Sequence, residues 1–395
     1  MKYCPTVAMI LAAGLLSACS TVPSDESATG KLSNVTMSMP KGEVVMDGAQ
    51  ILAWDDATRS SRFRKMEDFF PGLEVAPPSN PIKLERGNAL NGNLVAELDA
   101  FMADTNAAGV MVLQDGKIRY EKYALGFGPE QRWTSFSVAK SFTSTLMGAA
   151  LKDGYISSLQ DPVSQYITGL KGSAYDDVSV EQLATMTSGV RWNEDYTDPT
   201  SDVALMFNTT PEPGQDQVVE YMKNLPREAP AGEKFVYKTG ETNLIGVLVE
   251  EATGRRLADY AAEKIVGPAG FEGSLFWQTD LSNRNVGGCC LSLRLADYAR
   301  FGQFVLEGGG NVVPAGWFED AGDSKVQFGG GFGYGYQWWT YPVDNFGAQG
   351  IFGQAITIVP ENNLVIAVVS NWPSATSREN RLKLLMASAA IAQGE

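Results

Sequence analysis

Ser137-Val138-Ala139-Lys140 opens the stretch on which the reading of this chain turns, and the apolar and small residues that follow it through Leu151 recur at helical spacing. Ser137 therefore falls on the first turn of a helix and Lys140 one turn later on the same face, where the two side chains can meet. The backbone N–H groups and the dipole at a helix start favour developing negative charge. A lysine held away from water loses part of its preference for a proton and can act as a base toward the serine hydroxyl. By itself the S-x-x-K pattern is weak, since about one match is expected by chance in such a chain. A second match, Ser38-Met39-Pro40-Lys41, is set aside because Pro40 disfavours a helix there.

The chain has 395 residues and no histidine, so mechanisms that need an imidazole as base or metal ligand are excluded, including Ser-His-Asp triads, Cys-His pairs and His-rich zinc sites. No metal and no cofactor is expected. A formal charge of −15 without a basic patch argues against a nucleic-acid partner. A hydrophobic share of 44% with 19% charged residues suits a globular chain with a large core.

Residues 1–18 read as a lipoprotein signal peptide: Lys2 gives a positive start, Val7 to Leu16 an apolar run too short to span a bilayer, and Leu16-Ser17-Ala18-Cys19 resembles a lipobox. The resemblance implies lipidation at Cys19 and, with Ser20 next to it, a place in the bacterial cell envelope: lipid-anchored, at the outer membrane, facing the periplasm. The membrane is a partner only through that anchor. Residues 19–50, rich in Ser, Thr, Pro and Gly, read as a flexible tether, 51–94 as an N-terminal extension, and 95–395 as the main domain. Of the four cysteines only Cys289 and Cys290 lie within that domain, and as neighbours in sequence they close no useful loop; they read as small apolar packing residues rather than a redox device.

Val110 to Tyr120 holds two β-prone runs around Asp115-Gly116, a hairpin with a type I′ turn. Near the other end, Ala355 to Val359 and Leu364 to Val369 flank Pro360-Glu361-Asn362-Asn363 as a second strand pair, and Arg378 to Ala392 has helical spacing. With a helix-prone middle from about 141 to 320, the pattern predicts an α/β (α+β) fold. Its antiparallel sheet is built from both ends of the chain, with flanking helices and a helical lobe inserted in the middle. A cleft between the lobes is the natural site.

Two further elements fall near such a cleft. Tyr237-Lys238-Thr239 precedes a helical segment, Glu241 to Gly254, and can present the Tyr237 hydroxyl as a proton relay. Ala348-Gln349-Gly350-Ile351-Phe352-Gly353-Gln354 precedes the last strand pair, with glycines that permit close backbone approach. In this order the three elements resemble the S-x-x-K, Y-x-N and K-T-G motifs of penicillin-recognising serine enzymes, over roughly residues 95–392. Trp192-Asn193-Glu194-Asp195-Tyr196, Ala296-Asp297-Tyr298-Ala299-Arg300-Phe301-Gly302 and Tyr334-Gly335-Tyr336-Gln337-Trp338-Trp339 add to it. The resemblance is to the β-lactamase/transpeptidase-like branch that holds class C β-lactamases, carboxylesterases and nylon-oligomer (6-aminohexanoate-dimer) hydrolases, most of all the last.

This resemblance implies that Ser137 is acylated, Lys140 is its base partner, Tyr237 relays the proton, and the backbone N–H groups of Ser137 and Ile351 form an oxyanion hole. Trp192, Tyr196, Tyr336, Trp338, Gln349 and Gly350 are candidates for contact with substrate. Two departures stand out. Thr239 occupies the Asn position of Y-x-N, and Ala348-Gln349-Gly350 lacks the cation of K-T-G, which disfavours β-lactams as the main substrates. The literal Lys238-Thr239-Gly240 precedes a helical segment and is read as coincidence. The expected activity is cleavage of esters or amides of small or linear molecules by acyl-enzyme chemistry. Two alternatives remain: a D,D-peptidase or β-lactamase using the same residues, and a catalytically inactive lipoprotein that binds cell-wall fragments.

Overall fold

The computed structural model describes residues 34–42 and 50–394. The signal segment and Cys19 lie outside the described residues. Among those described, no helix is long and apolar enough to cross a membrane.

Both hairpins form. Strands Ala107–Gln114 and Lys117–Tyr123 meet through Asp115 and Gly116, whose φ of 51° and 71° are the two left-handed values a type I′ turn demands. Strands Ala355–Val359 and Leu364–Ser370 follow the same logic at the far end of the chain, with Asn363 at φ 47°. The ends then join. Leu364–Ser370 pairs antiparallel with Ala107–Gln114, Ile366 opposite Val112, at the centre of a nine-stranded sheet. All seven residues of Leu364–Ser370 are buried, which suits its near-continuous apolar sequence. Helices Gly92–Asp104 and Arg378–Gln393 pack together on one face of the sheet, and Leu295–Leu306 lies on the other. Gly302 allows that last contact: a Cβ there would come within 2.4 Å of Val365 Cγ1.

The helical middle forms the second lobe, but it shares space with a five-stranded sheet that the sequence did not announce. Its strands are short and come from distant places: Val35–Ser38, Gly72–Val75, Leu275–Gln278, Leu291–Leu293 and Trp133–Thr134. The expected tether 19–50 is thereby corrected, because Val35–Ser38 is an ordered strand paired with Gly72–Val75, Val35 opposite Val75. The partner strand is buried and hydrophobic, and gives this Ser/Thr-containing stretch a reason to be ordered.

The helix that carries the S-x-x-K lysine, Ala139–Lys152, is buried from Ala139 through Ala150. Its polar side chains are therefore satisfied internally: Ser141 and Ser144 donate to the carbonyls of Gln337 and Tyr336, and Thr143 donates to that of Gly287. These bonds lace the helix to the two loops that close around its start.

The Asp297/Arg300 pair explains the stretch from Ala296 to Gly302. Asp297 is fully buried and accepts from the N–H groups of Glu272 and Gly273 and from Arg300, which also binds the carbonyl of Ile82. Asp297→Ala strands two N–H groups and removes the buried partner of a guanidinium that keeps only Glu272 and the Ile82 carbonyl. It should destabilise the protein by about 3–5 kcal/mol, read as a loss of denaturation midpoint; an unchanged midpoint would show that the network carries no stability.

Candidate active site

Ser137 sits in a 3-10 turn, Phe136–Val138, that leads into the buried helix. The residue before it, Phe136, has φ 43°, a left-handed value that costs a side-chain-bearing residue of order 1–3 kcal/mol. Phe352, immediately after Ile351, has φ 57°. The two rings lie 5.4 Å apart, and Phe63 packs on both at 5.0 and 5.4 Å, so the strained turns on either side of the site hold each other in place.

Lys140 is 1% exposed and its Nζ makes three contacts: Gly288 carbonyl at 2.8 Å, Thr239 Oγ1 at 3.0 Å and Ser137 Oγ at 3.2 Å. Burial pulls its pKa down to about 8, while the carboxylate of Glu194 pushes the other way. Two of the three directions around the nitrogen are taken by a carbonyl and a hydroxyl. In the neutral amine both N–H groups are thus committed, and the lone pair is left facing the serine hydroxyl.

Thr239 is itself fixed by Glu194, whose two oxygens accept from its backbone N–H and its hydroxyl; Glu194 also accepts from Trp192 Nε1 and Tyr196 OH. Thr239 heads the helix Thr239–Thr253, which ends at Gly254 in the left-handed region, φ 66°. Tyr237 lies just before it. Its ring stacks on Trp339 at 5.5 Å and faces Lys140 Nζ at 5.2 Å. Burial, then the Glu194 charge, push the phenol pKa well up, against a hydrogen bond with Ser137. Burial thus favours the neutral phenol at Tyr237.

The strand Asn345–Gln349 ends against Ser137. At Gly350 a Cβ would lie 2.6 Å from Ser135 O and 3.2 Å from Ser137 N, so only glycine lets this strand end and the helix start touch through their backbones. Ile351 follows directly. Lys238 plays no part here: it is fully buried inside the helical lobe and paired with Glu241 at 3.2 Å.

Two cavities meet at Ser137. One, about 70 Å³, is walled by apolar side chains, among them Ile51, Val203 and Phe207. The other, about 310 Å³, is lined by Tyr237, Trp339, Gln349, Arg378 and Arg381. Arg381 donates to the Gly350 carbonyl at 3.2 Å, and burial lowers its pKa to about 10.

Of the residues singled out in the sequence, Ser137, Lys140, Tyr237, Tyr196, Gln349, Gly350 and Ile351 come together at these cavities. Trp192 is buried behind Glu194. Tyr336 and Trp338 do not reach the site: Tyr336 donates to Glu181 at 2.5 Å and Trp338 is fully buried between Phe301 and Phe346 in the core. Their neighbour Trp339 takes the place in the cleft, since adjacent residues of an extended chain face opposite ways. Cys289 and Cys290 are also corrected. They line the apolar cavity, with Cys290 at φ 70°, rather than merely filling the core. Glu194, Thr239, Gly288, Ile51 and Arg381 were not read as site residues. Of these, Glu194 carried a signal as an acid flanked by Trp192 and Tyr196, and Thr239 carried one as the residue at the Asn position of Y-x-N.

The β-lactamase family pattern matches residues 94–391. The 6-aminohexanoate-dimer hydrolase of Paenarthrobacter ureafaciens is 28% identical over 364 residues, covering 85% of this chain and 90% of that protein. A β-lactamase of Pseudomonas fluorescens is 30% identical over 167 residues, 40% of this chain and 43% of its own length. Among solved structures, a Bacillus anthracis protein provisionally described as a 6-aminohexanoate-dimer hydrolase superposes with a TM-score of 0.76 at 22% identity, over 90% of this chain and 98% of that one. The class C β-lactamase of Rhodobacter sphaeroides gives 0.59 at 16% identity, over 77% and 100%. The likeness of these two structures is one of fold. With three quarters of its length matched, the chain belongs to the β-lactamase family and carries its β-lactamase/transpeptidase-like fold.

Proposed function

We propose that this β-lactamase-family hydrolase is a carboxylesterase or amidase that cleaves small or linear substrates through an acyl-enzyme on Ser137. The observation that carries the reading is the Lys140 amine 3.2 Å from Ser137 Oγ, with its other two bonds already committed. Neutral Lys140 takes the Ser137 proton as Oγ bonds to the substrate carbonyl carbon, and the N–H groups of Ser137 and Ile351 receive the oxyanion. Tyr237 then protonates the departing alcohol or amine as its bond to carbon breaks, and regains a proton from Lys140. Water repeats the sequence in reverse, its proton passing to the same pair, and Ser137 leaves as a hydroxyl. The relationship to 6-aminohexanoate-dimer hydrolase supports activity on linear amides.

A second reading, action on β-lactams or D,D-peptides, gains support from Arg381. Ala348-Gln349-Gly350 lacks a cation, but this guanidinium reaches the Gly350 carbonyl from the C-terminal helix. Stoichiometric acylation by penicillin that is lost in Arg381→Ala would favour it; indifference to penicillin beside rapid hydrolysis of p-nitrophenyl butyrate would favour the first. The same proposal places the protein at the outer membrane, facing the periplasm, through a lipid on Cys19, which metabolic labelling with palmitate and its loss in Cys19→Ala would test.

A fluorophosphonate should add once to the protein and not to Ser137→Ala, by intact-mass spectrometry; no adduct on either would remove the serine-hydrolase reading. Tyr237→Phe should lower kcat by about 10²–10⁴. Because only the neutral amine accepts a proton, kcat/KM should rise with pH through the Lys140 pKa of about 8. The Glu194 charge favours the protonated amine, so Glu194→Gln should move that limb to lower pH, and an unmoved limb would show that Lys140 does not set it.

A further inference from the structure

The apolar cavity beside Ser137 is partly built by residues that lie outside the matched family region. Ile51 and Leu52 sit on the short helix Gln50–Ala53, more than forty positions before residue 94, where the family match begins. They are held there firmly. The next helix, Asp56–Arg62, carries Arg59, which is 6% exposed and donates to Asn371 Oδ1 and the Trp54 carbonyl, both at 2.7 Å, while its guanidinium lies over the Phe352 ring at 5.0 Å. Phe63, at the end of that helix, is fully buried against Phe136 and Phe352.

The two cavities at Ser137 are not equivalent for a substrate. A leaving group must depart toward its proton donor, and Tyr237 lines the larger cavity and not the apolar one. The acyl part of the substrate therefore enters the apolar cavity. No charged side chain lines it. A cavity of about 150 Å³ accepts a benzene ring, so one of about 70 Å³ admits less.

We infer that Ile51 and Leu52 set the acyl specificity of the enzyme, and that its substrates are esters or amides of short, uncharged aliphatic acids. The inference rests on the serine-hydrolase reading above. It sets this chain apart from an enzyme for 6-aminohexanoate oligomers. The acyl group of such a substrate ends in an ammonium, which would be carried into a cavity with no carboxylate to receive it.

The test is a series of p-nitrophenyl esters from acetate to octanoate, with wild type, Leu52→Ala and Leu52→Trp. Leu52 is only half-buried, so both variants should fold. Wild type should prefer acetate and butyrate. The octanoate-to-butyrate ratio of kcat/KM should rise about tenfold in Leu52→Ala and fall in Leu52→Trp, the scale of a few methylenes gained or lost in an apolar pocket. If all three proteins turn over esters with the same chain-length ratio, the inference falls and the serine-hydrolase reading stands. If none turns over any ester and Ser137 takes no fluorophosphonate, both fall.

Discussion

An amine that is 1% exposed and 3.2 Å from the Ser137 hydroxyl sets the terms for the rest of the structure. Burial alone would strip Lys140 of its charge; a neighbouring carboxylate alone would lock the charge on. The protein uses both, and the result is a lysine near pH 8. Glu194 achieves this at one remove, acting on the lysine as a charge and through Thr239, which it binds by backbone and side chain. That chain of contacts explains why the position held by Asn in β-lactamases can be Thr here. What the site requires at that position is a hydroxyl or amide oxygen to accept from Lys140, and an anchor for it.

The second constraint is backbone strain on both sides of the nucleophile. Phe136 and Phe352 adopt left-handed φ values that glycine would take freely, and glycine does not occupy either position. Two such residues cost a few kcal/mol together, and the aromatic cluster with Phe63 and the guanidinium of Arg59 over Phe352 are what offset it. A phenylalanine there does two things at once. It places the following or preceding backbone N–H at the site, and its ring locks the turn to the core. The N-terminal segment thus packs directly on both turns, although the family pattern begins only at residue 94.

How much of this was legible depends on range. Asp115-Gly116, the S-x-x-K spacing and the Gly254 stop are local signals, and each led to the element found. The sheet built from both chain ends followed from two hairpins with continuous apolar runs. The five-stranded sheet was hidden because its strands are two to four residues long and come from distant places, with Gly72 opposite Gln278 and Trp133 opposite Leu293, where no local pattern reports a partner. The site showed the same division. Ser137, Lys140 and Tyr237 carry recognisable spacing, but Glu194 and Thr239 act through tertiary contacts alone. Trp338 and Trp339 could not be told apart by composition: the period of two says that they face opposite ways, and only the packing of Trp338 against Phe301 and Phe346 says which one is inside.

The electrostatics of the molecule then assign different tasks to the two sides of the cleft. A net charge of −15 acts at long range, where it slows anions on approach, but it is screened beyond about 8 Å in physiological salt and decides little once a ligand is bound. Inside the larger cavity the local charge is positive, from Arg378 and Arg381. No charged side chain lines the apolar cavity, and Phe136, one of its walls, belongs to the aromatic cluster with Phe63 and Phe352. Widening it by moving the wall would disturb Phe63 and Arg59, and through them the strained turn at Phe352. The N-terminal segment therefore ties the wall of the apolar cavity to the strained turn at Phe352, and Leu52 is the half-buried edge of that wall.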